Sequence, residues 1–179
     1  MTDFARLMSD YFVKYLAGQK GSGSNTMKTY RDTFVQLLEF MEEKKHIRAD
    51  CIEVDSFSYD IINEFLEYLE KEKRVSISTR NNRLAAIRSF FKYTGYHEPK
   101  YLNISTSIRE ISKKKTEGRQ MNYLSVNAME HFLNSFDKTD HKELRCFCIV
   151  LLLYESGARV TELCNVRRYD LHLEKPYTM

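Results

Sequence analysis

Apolar positions recur every three to four residues through most of the first hundred residues, the spacing of one buried helix face. Phe4, Leu7, Met8, Tyr11, Phe12 and Tyr15 predict a first helix over about 2–17. "GQKGSGSN" (Gly18 to Asn25) breaks the pattern as a flexible loop, with Ser24 or Asn25 positioned to cap a second helix. The next stripe, Tyr30, Phe34, Leu37, Leu38 and Met41, predicts that helix to about Lys45, with Lys28, Arg31 and Asp32 off its apolar face. "IRADCIEVDSFS" reads as a connector with a short extended piece. Ile61, Ile62, Phe65, Leu66 and Leu69 predict a third helix over about 59–73; Leu84, Ile87, Phe90 and Phe91 predict a fourth over about 78–93. Four short amphipathic helices with brief connections predict a helical bundle over 1–108.

The pattern then changes. Residues 109–122, "REISKKKTEGRQMN", are dense in charge and poor in large apolar side chains, which predicts an interdomain linker. A second unit is expected over 123–179. Ser125 can cap a helix whose apolar side holds Val126, Met129, Phe132 and Leu133. The following helix is apolar on nearly all sides around "CIVLLLY" (Cys148 to Tyr154), which predicts burial in a larger domain. The residues from 123 onward supply few partners for it, so this unit is expected to be the truncated start of such a domain.

Composition narrows the class. Only 6 Gly and 2 Pro in 179 residues argue against an all-β fold, and 42% apolar residues argue against disorder. No apolar stretch approaches the ~20 residues of a membrane span. The N-terminus has no signal-peptide pattern, so the expected location is cytoplasmic and no membrane partner is expected. Cys51, Cys146, Cys148 and Cys164 form no metal-binding spacing with histidines; buried free thiols in a reducing compartment are expected, with no metal and no cofactor.

Charge adds a direction. Residues 71–119 hold 13 Lys+Arg against 4 Asp+Glu, whereas residues 1–70 hold 8 against 13. Such a block is either an electrostatic footprint for a polyanion or a solvated basic helix with its linker. The fourth helix shows the same duality. Opposite its core stripe lie Asn81, Asn82, Ala85, Ser89 and Lys92, with Arg88 at the edge. Small residues beside amides and cations suit close approach to a DNA groove, and they also suit an ordinary solvent face.

A second candidate is "ESGARVTEL" (Glu155 to Leu163). Gly157 is placed to end the apolar helix in a left-handed conformation, and Arg159 falls in the first turn of the next. A cation at a helix N-terminus opposes the helix dipole unless an anion such as phosphate binds there too. Glu162, three residues on, can hold the guanidinium; an ordinary surface Arg–Glu pair satisfies the same spacing.

"LLLYESGARVTELCNVRRYDL" (Leu151 to Leu171) resembles the first catalytic-arginine box of the tyrosine recombinases, the phage integrase family. "SNTMKTYRDTFVQLLEFM" and "SISTRNNRLAAIRSFFKYTG" resemble the second and fourth helices of that family's core-binding domain, and "YLSVNAMEHFL" the opening helix of its catalytic domain. The resemblance implies a mainly α chain: a four-helix, SAM-like core-binding bundle followed by the truncated start of an α+β catalytic domain. It also implies double-stranded DNA as partner, a tetramer on DNA for the full-length protein, and strand breakage and rejoining through a 3′-phosphotyrosyl intermediate without metal or ATP. Arg159 matches the first catalytic arginine and Glu162 its acidic support. Lys28, Arg31, Arg80, Asn81, Asn82, Arg83, Arg88, Ser89, Lys92, Lys113, Lys114, Lys115 and Arg119 are the residues expected to meet DNA. Lys175 stands too early, beside Pro176, for the family's hairpin lysine, and neither Tyr154 nor Tyr177 matches a nucleophile. The chain alone is therefore expected not to cleave DNA. The alternatives are a shortened, non-catalytic relative that occupies or regulates recombination sites and, from another class, a helical protein-interaction module.

Overall fold

The computed structural model describes residues 2–21, 23–116, 118 and 122–170. Arg119 lies outside these residues, as do Lys175 and Tyr177. The described residues form eight α-helices and no strand, in two compact units, Met1–Gly118 and Arg119–Met179.

In the first unit, α1 (Asp3–Asp10) starts at Thr2, whose hydroxyl accepts from the Ala5 N–H at 3.2 Å. It runs without a break into a π-helical segment, Tyr11–Gln19. The wider i→i+5 turn brings Leu16, five residues after Tyr11, into the core, while Tyr15 of the predicted stripe is only half-buried. Helix α2 (Ser24–Lys45) is capped by Gly23, so neither Ser24 nor Asn25 takes that position. The connector holds two 3₁₀ turns, Ala49–Cys51 and Val54–Ser56, in place of an extended piece; Ile52, Val54 and Phe57 are core residues within it. Ser58 and Ser76 cap α3 (Tyr59–Lys71) and α4 (Ile77–His97), each accepting a backbone N–H at 3.2 Å.

A fifth helix, α5 (Leu102–Glu110), extends the expected four-helix bundle. Ile104, Ile108 and Ile111 give it an apolar stripe at helical spacing, with Ile108 and Ile111 buried. It lies close against the end of α4: a Cβ added to Gly95 would stand 2.6 Å from the Ser105 Cβ. Phe90 of α4 is the hub of the core. Its ring meets Phe4, Tyr11, Phe34 and Phe91 edge-on, at centroid distances of 5.5, 5.4, 5.2 and 5.3 Å.

The second unit has α6 (Val126–Asn134), capped by Ser125 as expected, α7 (His141–Ser156) and α8 (Val160–Asn165). Gly157 ends α7 at φ 62°, in the left-handed region predicted for it. Phe136 links α6 to α7 through Phe132 and Phe147, at 5.2 and 6.2 Å between centroids. The expected burial of α7 is corrected: no described residue of this unit is buried, and Leu152 and Tyr154 are 51% and 47% exposed. Among the described residues only two short helices accompany α7, too few to cover a helix apolar on all sides. The expectation of buried thiols is corrected too, since all four cysteines are exposed. Three lie in this thin unit, and Cys51 sits on a surface turn. The α+β expectation gains no strand here, the described residues of the unit being helical.

Candidate nucleic-acid interface

One face of the first unit gathers cations from three separate segments. Lys20 directly follows the π-helical segment, α4 presents Arg88 and Lys92 one turn apart, and α5 with the chain beyond it adds Arg109 and Lys113. With Tyr15, Tyr30, Ala85 and Ser89 they line an open concavity of about 490 Å³. Five cations line it and no carboxylate does. Like charges crowded in this way raise a positive potential that an approaching polyanion relieves. A smaller groove of about 290 Å³ continues from Tyr30 and Ala85, lined by the polar Asn25, Thr26, Thr29 and Asn82. Ala85, small and central, lies in both.

Of the residues expected to meet DNA, Arg88, Ser89, Lys92 and Lys113 come together in the basic groove, and Asn82 in its continuation. The Arg88 Nη2 donates to the carbonyl of Arg109, which fixes its terminal group between α4 and α5. The Ser89 hydroxyl accepts from Tyr11, whose own acidity is suppressed by burial, so that the phenol stays a donor.

Other predicted residues work inside the unit. Arg80 is buried; its Nε donates to Glu70 at 3.1 Å and its Nη1 to the carbonyl of Ser112 at 3.2 Å. The Asn81 amide clips the chain beyond α5, donating to the Lys114 carbonyl at 2.8 Å and accepting from the Lys114 N–H at 3.1 Å. The Lys114 ammonium reaches Glu70 at 2.7 Å. Arg83 ties α4 to α2 through the Thr29 carbonyl and the Thr33 hydroxyl. These bonds hold the segment that carries Lys113 against α4. Lys28, Arg31 and Lys115 are exposed outside both grooves, Arg31 lying 3.6 Å from Asp32.

Besides Ala85, which the sequence places on the outer face of the fourth helix, four groove residues are absent from the set expected on sequence: Tyr15, Lys20, Tyr30 and Arg109. Arg109 falls in the predicted linker, and the Ile104, Ile108, Ile111 stripe is the signal that places it on a helix instead. Lys20 precedes a glycine inside a loop-like run, and a lone loop lysine carries no periodic signal.

In the second unit Arg159 stands just before α8 as its N-cap, with extended backbone (φ −73°, ψ 151°), one step ahead of the expected first turn. The Arg159 N–H donates to Glu162 Oε2 and its Nη1 to Oε1, both at 2.8 Å. The Arg159 backbone N–H first, and its guanidinium second, hold the Glu162 carboxyl below the usual carboxylate range. That carboxylate is the anion the helix dipole favours at its N-terminus, so the cation beside it is locally compensated. The Arg159 side chain remains 82% exposed, open to a further anion.

Residues 10–99 match the family described as phage integrase, N-terminal SAM-like domain. The chain belongs to the tyrosine recombinase (phage integrase) family. It is 28% identical to the Sinorhizobium fredii protein y4rC, named as an integrase/recombinase, over 93% of this chain and 50% of y4rC. It is 26% identical to the tyrosine recombinase XerC of Staphylococcus aureus, over 92% of this chain and 52% of XerC. The XerA recombinase crystal structure aligns with a TM-score of 0.42 at 24% identity, covering 95% of this chain and 53% of that one. The chain thus spans about half the length of these relatives. Among the described residues no helix is long and apolar enough to cross a membrane, and no cluster of His, Cys, Asp or Glu is arranged to hold a metal.

Proposed function

We propose that this chain serves site-specific DNA recombination, the first unit gripping duplex DNA and the second contributing the first arginine of a tyrosine recombinase active site. The observation that carries the reading is the carboxylate-free groove of five cations within the unit that bears the family's N-terminal domain. Lys20, Lys92, Arg109 and Lys113 take backbone phosphates, and Asn82 with Ala85 faces the base edges. Arg80, Asn81 and Arg83 act through the fold, by holding α4, α2 and the Lys113 segment in register.

For Arg159 the reading is electrostatic catalysis. A guanidinium grips two phosphate oxygens at once and keeps its charge at any working pH. Glu162 holds it in place before the phosphate arrives, so little reorganisation is needed as charge develops on the phosphoryl group. The attacking tyrosine, which forms the 3′-phosphotyrosyl link and releases a 5′-hydroxyl, is assigned to no residue of this chain. Double-stranded DNA is the partner, and a tetramer on DNA is the working assembly of the whole recombinase.

The test is a duplex DNA titration at several salt concentrations. Four or five phosphate contacts predict log K falling with log [salt] at a slope of about −4. A flat dependence, or no binding at low salt, would overturn the DNA reading. In a full-length recombinase carrying this segment, Arg159→Ala is expected to abolish the covalent protein–DNA adduct while leaving site binding intact. Adduct at the unmutated level would sink the role given to Arg159.

A further inference from the structure

Beside the basic groove lies a second concavity of different chemistry. It is about 480 Å³, within the range of small-molecule sites, and its walls include Tyr15, Tyr93, Tyr96, His97 and Leu102. The Tyr93 and His97 rings lie 4.1 Å apart between centroids at 34°, and Tyr96 stands 5.6 Å from His97. Aromatic faces thus line it, and Tyr96 is 83% exposed, available to close over an occupant. Lys92, Arg109 and Tyr15 line both this concavity and the basic groove, and no carboxylate lines either. A positively charged track therefore opens directly into an aromatic-walled cavity.

We infer that this cavity receives a single unpaired nucleobase whose phosphate sits on Lys92 and Arg109, so that the first unit binds single-stranded DNA next to the duplex it grips. Base pairs stacked within a duplex present no free face to such a cavity, whereas an unstacked base offers a planar π-surface to tyrosine and histidine. The shared cations select an anion-bearing occupant over a neutral apolar one. This inference rests on the DNA reading of the adjacent groove and adds to it a preference for strands that are locally unpaired.

The experiment uses the whole chain with two probes, a blunt duplex and a short single strand carrying a fluorescent adenine analogue that is quenched on stacking. The single strand is expected to bind with quenching. Tyr96→Ala and Leu102→Gln, both on exposed residues outside the basic groove, are expected to weaken single-strand binding about tenfold. Their duplex affinity is expected to stay within about twofold. Duplex binding without single-strand quenching would overturn the inference and leave the groove reading standing. So would quenching that both variants leave unchanged. Failure of both probes to bind would overturn the groove reading and the inference with it. A concentration-dependent dimer abolished by Tyr96→Ala, with no quenching, would make the cavity a protein interface and overturn the nucleobase.

Discussion

Phe90 in the first unit and Leu152 in the second both occupy apolar helical stretches, yet Phe90 is sealed from solvent and Leu152 keeps 51% of its surface exposed. The local sequence would suggest the reverse. Helix α4 carries Arg80, Arg83 and Arg88, while α7 is apolar almost without interruption from Cys146 to Tyr154. The difference lies in what surrounds each helix. α4 packs against α2, α3 and α5, and rings from α1 and the π-helical segment close over Phe90. Among the described residues of its own unit, α7 has α6 alone as a substantial neighbour. Burial depends on the number of layers available, and hydrophobicity in one helix cannot supply them.

That contrast can be broken at several points. The largest effect is expected from Phe90→Ala, which removes a fully buried ring with four aromatic neighbours and should cost the first unit about 3–5 kcal/mol. Denaturant unfolding followed by hydrogen exchange at the α4 amides reads it, and a loss below about 1 kcal/mol would refute the hub role. Arg80→Ala comes next. It leaves Glu70 with Lys114 alone and frees the Ser112 carbonyl, a loss of about 3 kcal/mol that mutation of a surface arginine would not produce. Lys113→Glu should leave stability within about 0.5 kcal/mol while reducing the magnitude of the salt slope for DNA by about 1.

The second unit supplies the smallest effects. Leu152→Ala should change stability by no more than about 0.5 kcal/mol, since half the side chain is already in water. The Glu162 cap should respond to pH. The fold lowers its carboxyl pKa, so its stabilisation of α8 is fully present above the ordinary carboxylate value and is lost as pH falls through the lower, folded value. Protection of the Arg159 amide from exchange, tracked downward from neutral pH, should disappear in that acidic window. Protection that persists below it would remove Glu162 as the cap.

Much of the first unit was legible because its helices obey a simple period: Leu84, Ile87, Phe90 and Phe91 are buried as the spacing predicts. Ser125 and Gly157 were legible for a chemical reason, one as a side-chain acceptor for a free N–H, the other as tolerant of positive φ. The misses have physical causes as well. The π segment alters the period itself, so a stripe drawn at α-helical spacing includes Tyr15 and omits Leu16. The core residues Ile52, Val54 and Phe57 sit in or directly after short 3₁₀ turns, where no α-helical spacing applies. At the basic groove, composition announced the charge, but it could not separate Arg80 and Arg83, turned inward, from Arg88 and Lys92 on the same helix. Only the positions of Glu70 and Thr29 on neighbouring helices decide that.

The π-helical segment carries a consequence for chain length. Tyr11 and Leu16 are both fully buried five positions apart, where an α-helix would bring them to one face at a separation of four. The segment therefore holds one residue more than its core contacts require. Removing an exposed residue between them, such as Val13, would let the helix revert to α-helical winding with Tyr11 and Leu16 still facing inward. An insertion or deletion of a single residue is ordinarily ruinous inside a packed helix. Here the fold has a position where it is absorbed as a change of winding, and two sequences differing by one residue before the Lys20 loop can share the same core.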